Sequence, residues 1–423
     1  MTTDTMIPFA LPDLSEAEIQ AVVGVLRSGW ITTGQKVREF EARFGQAVAA
    51  SHCVAVNSCT AALHLALEAI GVRPGDEVIL PTMTFAATAE VVRYLGASPV
   101  LVDVRPSDHN LDPAAVERAT TKRTRAIIPV HFGGVPADMD EINALARSRG
   151  ITVVADSAHT LPSQYRGRNI GTLADITCFS FYATKTMTTG EGGAAVTENG
   201  DWADRMRVMA LHGISRDAWK RYTSGGNWYY EIVAPGYKYN LTDIAAAMGI
   251  EQLARAQQML ARRAAIAARY DEAFRPISAL ELLSCSPDRA HAHHLYVIKL
   301  ARSALRIDRN AFIDELKRRG VGASVHFIPL HVHPYYRNIY SYHPESLPIA
   351  YDLYRRSISL PLFSAMSDWQ VDRVIETVLS LVREHARSTV GQYASPAQLA
   401  EGDEDVSPAI SDRPEAGLAD AGP

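Results

Sequence analysis

The stretch FSFYATKTMTTGEGG, residues 179–193, governs the reading of this chain. An apolar β-type run, DITCFSF (175–181), leads into it, and a glycine-rich turn leads out of it into a second such run, AAVTE (194–198). Between them stands Lys185, whose neighbours are small, hydroxylic or aromatic and include no other cation. Such surroundings partly desolvate an amine, which lowers its pKa and makes it a better nucleophile and base.

Upstream the same kind of apolar run recurs at CVAV (53–56), EVIL (77–80), PVLVDV (99–104), AIIPVH (126–131) and TVVAD (152–156). Helix-period segments separate these runs, among them TAALHLALEAIG, closed by Gly71, and DMDEINALARSRG, closed by Gly150. Strands alternating with helices predict an α/β domain with a doubly wound, mainly parallel sheet. Downstream, 201–240 is rich in Trp, Tyr, Gly and Arg and reads as a loop-bearing connection, and 243–274 reads as one long helix. HLYVIKL (294–300), NAFIDELKRRG (310–320) and a helix near 367–386 suggest a smaller C-terminal α+β domain. The expected division is 1–255, a large domain with an N-terminal extension, then 256–387, then an acidic, Pro-rich tail over 388–423 expected to be disordered.

At 423 residues the chain is long enough to bury a sizeable core, and a net charge of −5 without runs of like charge argues against a nucleic-acid or membrane surface. Four cysteines (Cys53, Cys59, Cys178, Cys285) show neither zinc-type spacing nor a disulfide framework, so no metal is expected. The N-terminus lacks a basic-then-apolar leader and no window is apolar enough to span a membrane, which places the protein in the cytoplasm.

In a doubly wound sheet ligands bind beyond the carboxyl ends of the strands. Asp156 closes TVVAD and is followed by Ser157, Ala158 and His159; Ser180 closes its own run, and Lys185 follows five residues later. Asn57, Ser58, Cys59 and Thr60 open a helix, where free N–H groups and hydroxyls suit a phosphate. Phe85 follows the second run. Taken singly, Asp156 is a turn residue, Thr60 an N-cap, His159 a core histidine and Lys185 a solvated charge. Together at one sheet edge they meet the needs of pyridoxal 5′-phosphate: an amine for its aldehyde, a carboxylate for its pyridine nitrogen, a phosphate site and an aromatic face.

Nearly the whole chain to about residue 385 resembles the DegT/DnrJ/EryC1/StrS family of fold-type I, pyridoxal-phosphate-dependent nucleotide-sugar aminotransferases. The matching segments include SGWITTGQKVREFE (28–41), VNSCTAALHLAL (56–67), PTMTFAATAE (81–90), VHFGGVPADMD (130–140), VVADSAH (153–159), FSFYATKTMTTGEGG, HGISRDAW (212–219), PGYKYNLTDIAAAMGIEQL (235–253) and HFIPLHVHPYY (326–336). The resemblance implies Lys185 as Schiff-base lysine, Asp156 on the pyridine nitrogen and His159 near the ring oxygen. It also implies Ser180, Ser58, Cys59 and Thr60 on the phosphate, and Phe85 stacked on the ring. Within PGYKYNLTD, either Lys238 or Asn240 is expected to reach the neighbour's cofactor, which implies a homodimer with composite active sites.

The same resemblance implies L-glutamate as donor, 2-oxoglutarate as its product, a cofactor cycling between its pyridoxal and pyridoxamine forms, and a nucleotide-linked keto sugar as acceptor. KYNLTD, HGISRDAW and HFIPLH point to the branch that aminates C4, with dTDP-4-keto-6-deoxy-D-glucose preferred, to give a dTDP-4-amino-4,6-dideoxyhexose. A UDP-4-keto-pentose or another nucleotide-linked 4-keto sugar is the alternative. Trp30, Thr32, Thr33, His326 and His331 are candidates to line the sugar or pyrophosphate. Relatives with histidine in place of the lysine are dehydratases, which Lys185 argues against. The other alternative, a non-catalytic regulatory protein on the same fold, would show no turnover.

Overall fold

The computed structural model describes residues 6–215 and 229–387. The described residues up to Ala386 form one compact unit. Its centre is a sheet of seven strands: β1 (His52–Val56), β2 (Glu77–Pro81), β3 (Ser98–Val102), β4 (Thr124–Ile127), β5 (Thr152–Asp156), β6 (Ile176–Ser180) and β7 (Gly193–Thr197), ordered β1-β7-β6-β5-β4-β2-β3. Pairs β2–β3, β2–β4, β4–β5 and β5–β6 are parallel, whereas β7 runs antiparallel to both β1 and β6. The Lys185 stretch is the reason for that reversal. It joins β6 to β7 without a crossover helix, so the chain must turn back on itself.

The strands are apolar on both faces because both are covered. Cys53, Ala55, Ile79, Ile127 and Val153 pack against α2 (Gln35–Ala47), α5 (Pro113–Ala119) and α6 (Met139–Arg149). Their alternates Val54, Val56, Val78, Leu80 and Val154 pack against α3 (Cys59–Ala69), α4 (Ala87–Tyr94) and α7 (Gly200–Met209). Ahead of this core, α1 (Glu16–Ser28) opens with a capping box in which Ser15 and Glu18 satisfy each other's end of the helix.

The helix α8 (Asp243–Phe274) coincides with the expected 243–274, and its Thr242 side chain caps the first turn. Its first half feeds the core of the large sheet through Ala246 and Ile250, and its second half feeds another core through Ile266, Tyr270 and Phe274. That second core lies under an antiparallel sheet of β8 (Leu280–Leu282), β9 (Tyr296–Leu300) and β10 (Ser357–Leu360), with α9 (Arg309–Arg318) and a C-terminal helix, Asp368–His385, packed on it. The boundary expected at 255/256 falls inside α8, so the two-domain division is a proposal about cores that share one helix.

Three details differ from expectation. Residues 200–209 are helical: Ala203, Met206 and Met209 recur at helical spacing and bury on one face of the sheet, a pattern masked by polar neighbours. β4 ends at Ile127 instead of 131, just before Pro129, which has no N–H for a ladder. β3 ends at Val102 instead of 104. The tail from residue 388 and Arg216–Trp219 of the HGISRDAW segment lie outside the described residues.

Candidate active site

Strand register alone gathers the first group. Asp156 ends β5 opposite Cys178, and Ser180 ends β6 opposite Gly193, which in turn faces Val56 at the end of β1. Ser180, Gly193 and Val56 thus form one row next to the start of α3, and Asp156 ends its strand two residues short of that row at the same edge of the sheet. A Cβ on Gly193 would sit 2.5 Å from the Cys59 amide nitrogen, so only glycine lets β7 approach the helix start this closely.

The α3 terminus is built for an anion. Ser58 caps it by accepting from the Ala61 N–H (3.1 Å), and the N–H groups of Cys59 and Thr60, in the first turn, have no intrahelical acceptor. Ser180 is paired with Gly193 on the strand beside them. Gly193→Ala should push α3 and β7 apart, cost about 1–3 kcal/mol of stability through overpacking, and weaken pyridoxal-phosphate binding at least about tenfold, read by absorption titration alongside a thermal melt.

Asp156 is buried, and both its carboxylate oxygens are engaged: Oδ2 accepts from the Thr88 hydroxyl (2.9 Å) and Oδ1 from the Ala158 N–H (3.1 Å). Thr84 stands 2.7 Å behind Thr88, hydroxyl to hydroxyl. Burial raises the Asp156 pKa, an effect its hydrogen bonds and Lys185 oppose. Such a carboxylate is best satisfied by a further cationic or N–H partner.

Lys185 retains partial solvent access, yet the protein packed around it lowers its ammonium to about 8; Asp156 and Cys59 pull the other way. Its own N–H donates to the Tyr182 carbonyl (2.9 Å), which sets it in a tight turn. Burial, reinforced by the charge of Lys185, also holds His159 well below its usual range and His326 at about 4. Nδ1 of His159 accepts from the Gly133 N–H (3.3 Å), which assigns the ring proton to Nε2. His326 arrives from a distant segment, its Nδ1 2.9 Å from the Ser359 hydroxyl. Phe85, 64% exposed, lies 6.4 Å from the ring of Phe327, which in turn stacks on His159 at 5.9 Å.

A second group forms around the start of α8. The Asp243 carboxylate accepts from the N–H groups of Gly34 (2.7 Å), Lys36 (3.2 Å) and Val37 (3.0 Å), so it caps α2 from two hundred residues away in sequence. Asn240 donates to the Thr33 hydroxyl (2.7 Å), Thr32 accepts from the Asp243 N–H through its carbonyl, and the Trp30 indole donates to the Thr33 carbonyl (3.1 Å). One N–H of the Asn240 amide is therefore held within its own chain, whereas Lys238 is exposed. The Lys238 and Tyr239 carbonyls both accept from Asn57, so this group abuts the α3 cradle.

His331 joins neither group. It is fully buried, with Nδ1 on the Thr82 hydroxyl (2.8 Å) and Nε2 on the Pro344 carbonyl (3.1 Å), which leaves no ring nitrogen for a sugar. Two participants had no signal of their own in the sequence. Thr88 lies within PTMTFAATAE as one small residue among several, and His294, stacked on His159 at 4.2 Å, lies in the run HAHH.

The donor set fits pyridoxal phosphate: a partly desolvated amine, a buried carboxylate held by two donors, and a glycine-lined cradle at a helix start. Among the described residues no helix is long and apolar enough to cross a membrane. Comparison with known proteins agrees with this fit. The model of the DegT/DnrJ/EryC1/StrS aminotransferase family matches residues 12–379. The chain is 47% identical over 378 residues to the spore coat polysaccharide biosynthesis protein SpsC of Bacillus subtilis (strain 168), covering 89% of this chain and 97% of SpsC. It superposes on Spr1654 of Streptococcus pneumoniae, assigned as a sugar aminotransferase and solved in its PMP form, with TM-score 0.84, 38% identity and coverage of 89% and 99% of the two chains. DesV of S. venezuelae, crystallised with a ketimine intermediate, matches with TM-score 0.80, 34% identity and coverage of 89% and 99%.

Proposed function

The chain belongs to the DegT/DnrJ/EryC1/StrS aminotransferase family and is a pyridoxal-phosphate-dependent sugar aminotransferase acting in nucleotide-linked amino-sugar synthesis; we propose that it moves the amino group of L-glutamate to C4 of a nucleotide-linked 4-keto sugar. The preferred acceptor is dTDP-4-keto-6-deoxy-D-glucose, giving a dTDP-4-amino-4,6-dideoxyhexose, with a UDP-4-keto-pentose as second choice. The choice of C4 is supported by the KYNLTD and HFIPLH segments. The observation that carries the transaminase chemistry is the nearness of Lys185 to Asp156, close enough for each charge to act on the other, at the edge that also holds the α3 cradle.

Bound pyridoxal phosphate supplies a carbonyl that captures amines and a ring that takes up the electron pair released on deprotonation. The protein supplies everything else. With a pKa of about 8, Lys185 is roughly one-quarter neutral at pH 7.5, against about a thousandth for a lysine at 10.5. Its Nζ is thus ready both to attack the aldehyde and to carry a proton between the amino-bearing carbon and the cofactor. Asp156, fixed at both oxygens, holds the proton on the pyridine nitrogen. Neutral His159 offers Nε2–H to the ring oxygen. Cys59, Thr60, Ser58 and Ser180 hold the phosphate, and Phe85 covers the ring.

In the proposed homodimer Lys238 reaches the partner's cofactor phosphate: its side chain is exposed, whereas the Asn240 amide is held to Thr33 through one of its N–H groups. Trp30, Thr32, Thr33 and His326 remain the candidates for sugar and pyrophosphate.

The test is spectroscopic. The loaded protein should show a long-wavelength band that L-glutamate bleaches and that one of the two keto sugars restores. Restoration by the UDP-pentose alone would move the substrate to the second choice. Bleaching without restoration by either sugar would refute both sugars and leave the aminotransferase.

A further inference from the structure

We propose that Gln252, in the third turn of α8, is a positioning residue that sets the geometry of Lys185 through the N–H of Thr188. The inference rests on Lys185 being the reacting amine. Gln252 is 1% exposed and its side chain is fully used: Oε1 accepts from the Thr188 N–H (3.1 Å), and Nε2 donates to Glu18 Oε1 (2.7 Å) and to the Asp13 carbonyl (2.8 Å).

An amide can be flipped, and here Glu18 fixes which way it lies. A carboxylate only accepts, so Gln252 must turn its NH₂ toward Glu18 and its oxygen toward Thr188. Glu18 is itself ionised firmly. Burial would raise its pKa, but hydrogen bonds from Ser15, Arg255 and Gln252 bring it to about 2. Arg255 adds ion pairs to Glu18 (2.8 Å) and Asp13 (2.7 Å). The orientation is therefore imposed from α1 and its N-terminal cap, far from Lys185 in sequence.

At the other end, Thr188 is a closing point of the lysine loop. Its hydroxyl donates to the Phe181 carbonyl (3.0 Å) and accepts from the Gly190 N–H (2.9 Å). With its N–H held by Gln252, the six residues between Phe181 and Thr188 are clamped at both ends, and Thr186 and Met187 are buried against the core. Lys185 lies in the middle. Without Gln252 the Thr188 N–H becomes a buried donor with no acceptor, and the loop must shift to find one. Buried positioning of this kind matters because an amine displaced by about an ångström loses a large share of its rate.

The experiment uses the full chain stripped of cofactor, then reloaded with pyridoxal phosphate. Hydrogen exchange of the 181–190 peptide and the rate of pyridoxal-phosphate capture are measured for Q252L, Q252E and the swap E18Q/Q252E, with borohydride trapping and peptide mapping to locate the modified lysine. Q252L should speed exchange at Thr188 and slow capture, each at least about tenfold. Q252E should do the same, because it places a second carboxylate against Glu18. In the swap, the amide introduced on α1 still serves the Ser15 capping box and donates to the carboxylate introduced on α8, which accepts from Thr188, while the Asp13 carbonyl loses its donor and Arg255 its ion pair to residue 18, so recovery is partial. Capture should recover at least about fivefold over Q252E. If Q252L fails to fold, the Q252E and swap pair decides the matter. Trapping at Lys185 with wild-type exchange and capture in Q252L, or no recovery in the swap, overturns the proposal while the lysine assignment stands. Trapping at another lysine overturns both.

Discussion

Lys185→Ala is expected to remove the long-wavelength absorption of the loaded protein and to lower turnover by at least about 10⁴-fold, because the same amine both anchors the cofactor and shuttles the proton. The α3 cradle is untouched by the change, so pyridoxal phosphate should still bind reversibly, seen by dialysis with an unshifted free-aldehyde spectrum. The native protein should show the matching pH behaviour. Only the neutral amine attacks an aldehyde, and burial sets its pKa near 8, so the capture rate should climb as pH rises toward 8 and level off above it. A rate still climbing tenfold per unit at pH 9.5 would mean an ordinary, solvated lysine and would remove the basis for its role.

Asp156→Asn should separate two steps that Lys185→Ala abolishes together. Asparagine keeps the size and can still meet Thr88 and the Ala158 N–H, so the fold and the long-wavelength band should survive. What it loses is the negative charge that keeps the pyridine nitrogen protonated. Bleaching by L-glutamate should slow roughly 10³-fold, the scale on which a single fixed electrostatic group acts at a reacting centre. The variant should also melt close to the native protein, since burial already raises the carboxylate's pKa and so makes its charge costly in the folded state. A half-reaction within about threefold of native would show that Asp156 is a structural residue bonded to Thr88 and nothing more.

Much of the site was legible because it sits where strands end. Ser58, Cys59, Thr60, Asp156 and Ser180 each follow an apolar run, and a mainly parallel sheet brings such ends to one edge whatever the details of packing. Lys185 was legible from its neighbours, and α8 from period and cap. Pairings across the chain were not legible. Nothing local tells Thr88 that it will meet Asp156 sixty-eight residues later, or His294 that it will stack on His159. His331 shows the converse: a histidine in a suggestive loop, HFIPLH, is fully consumed by Thr82 and Pro344. The family resemblance drew Lys238 and Asn240 to one function, and the exposure of Lys238 and the hydrogen bond from Asn240 to Thr33 distinguish them.

The reversed strand β7 also bears on the order in which the protein is made. β1 sits at the sheet edge and, among the described residues, its only ladder partner is β7, roughly 140 residues later in the chain. As the polypeptide emerges during synthesis, β2 to β5 can pair with one another early, but β1 and the α3 start it carries have no place in the sheet until residue 197 is available. Lys185 arrives within that same final hairpin. The helix start that forms the phosphate cradle and the loop that carries the amine therefore take their places together, once a single hairpin has closed.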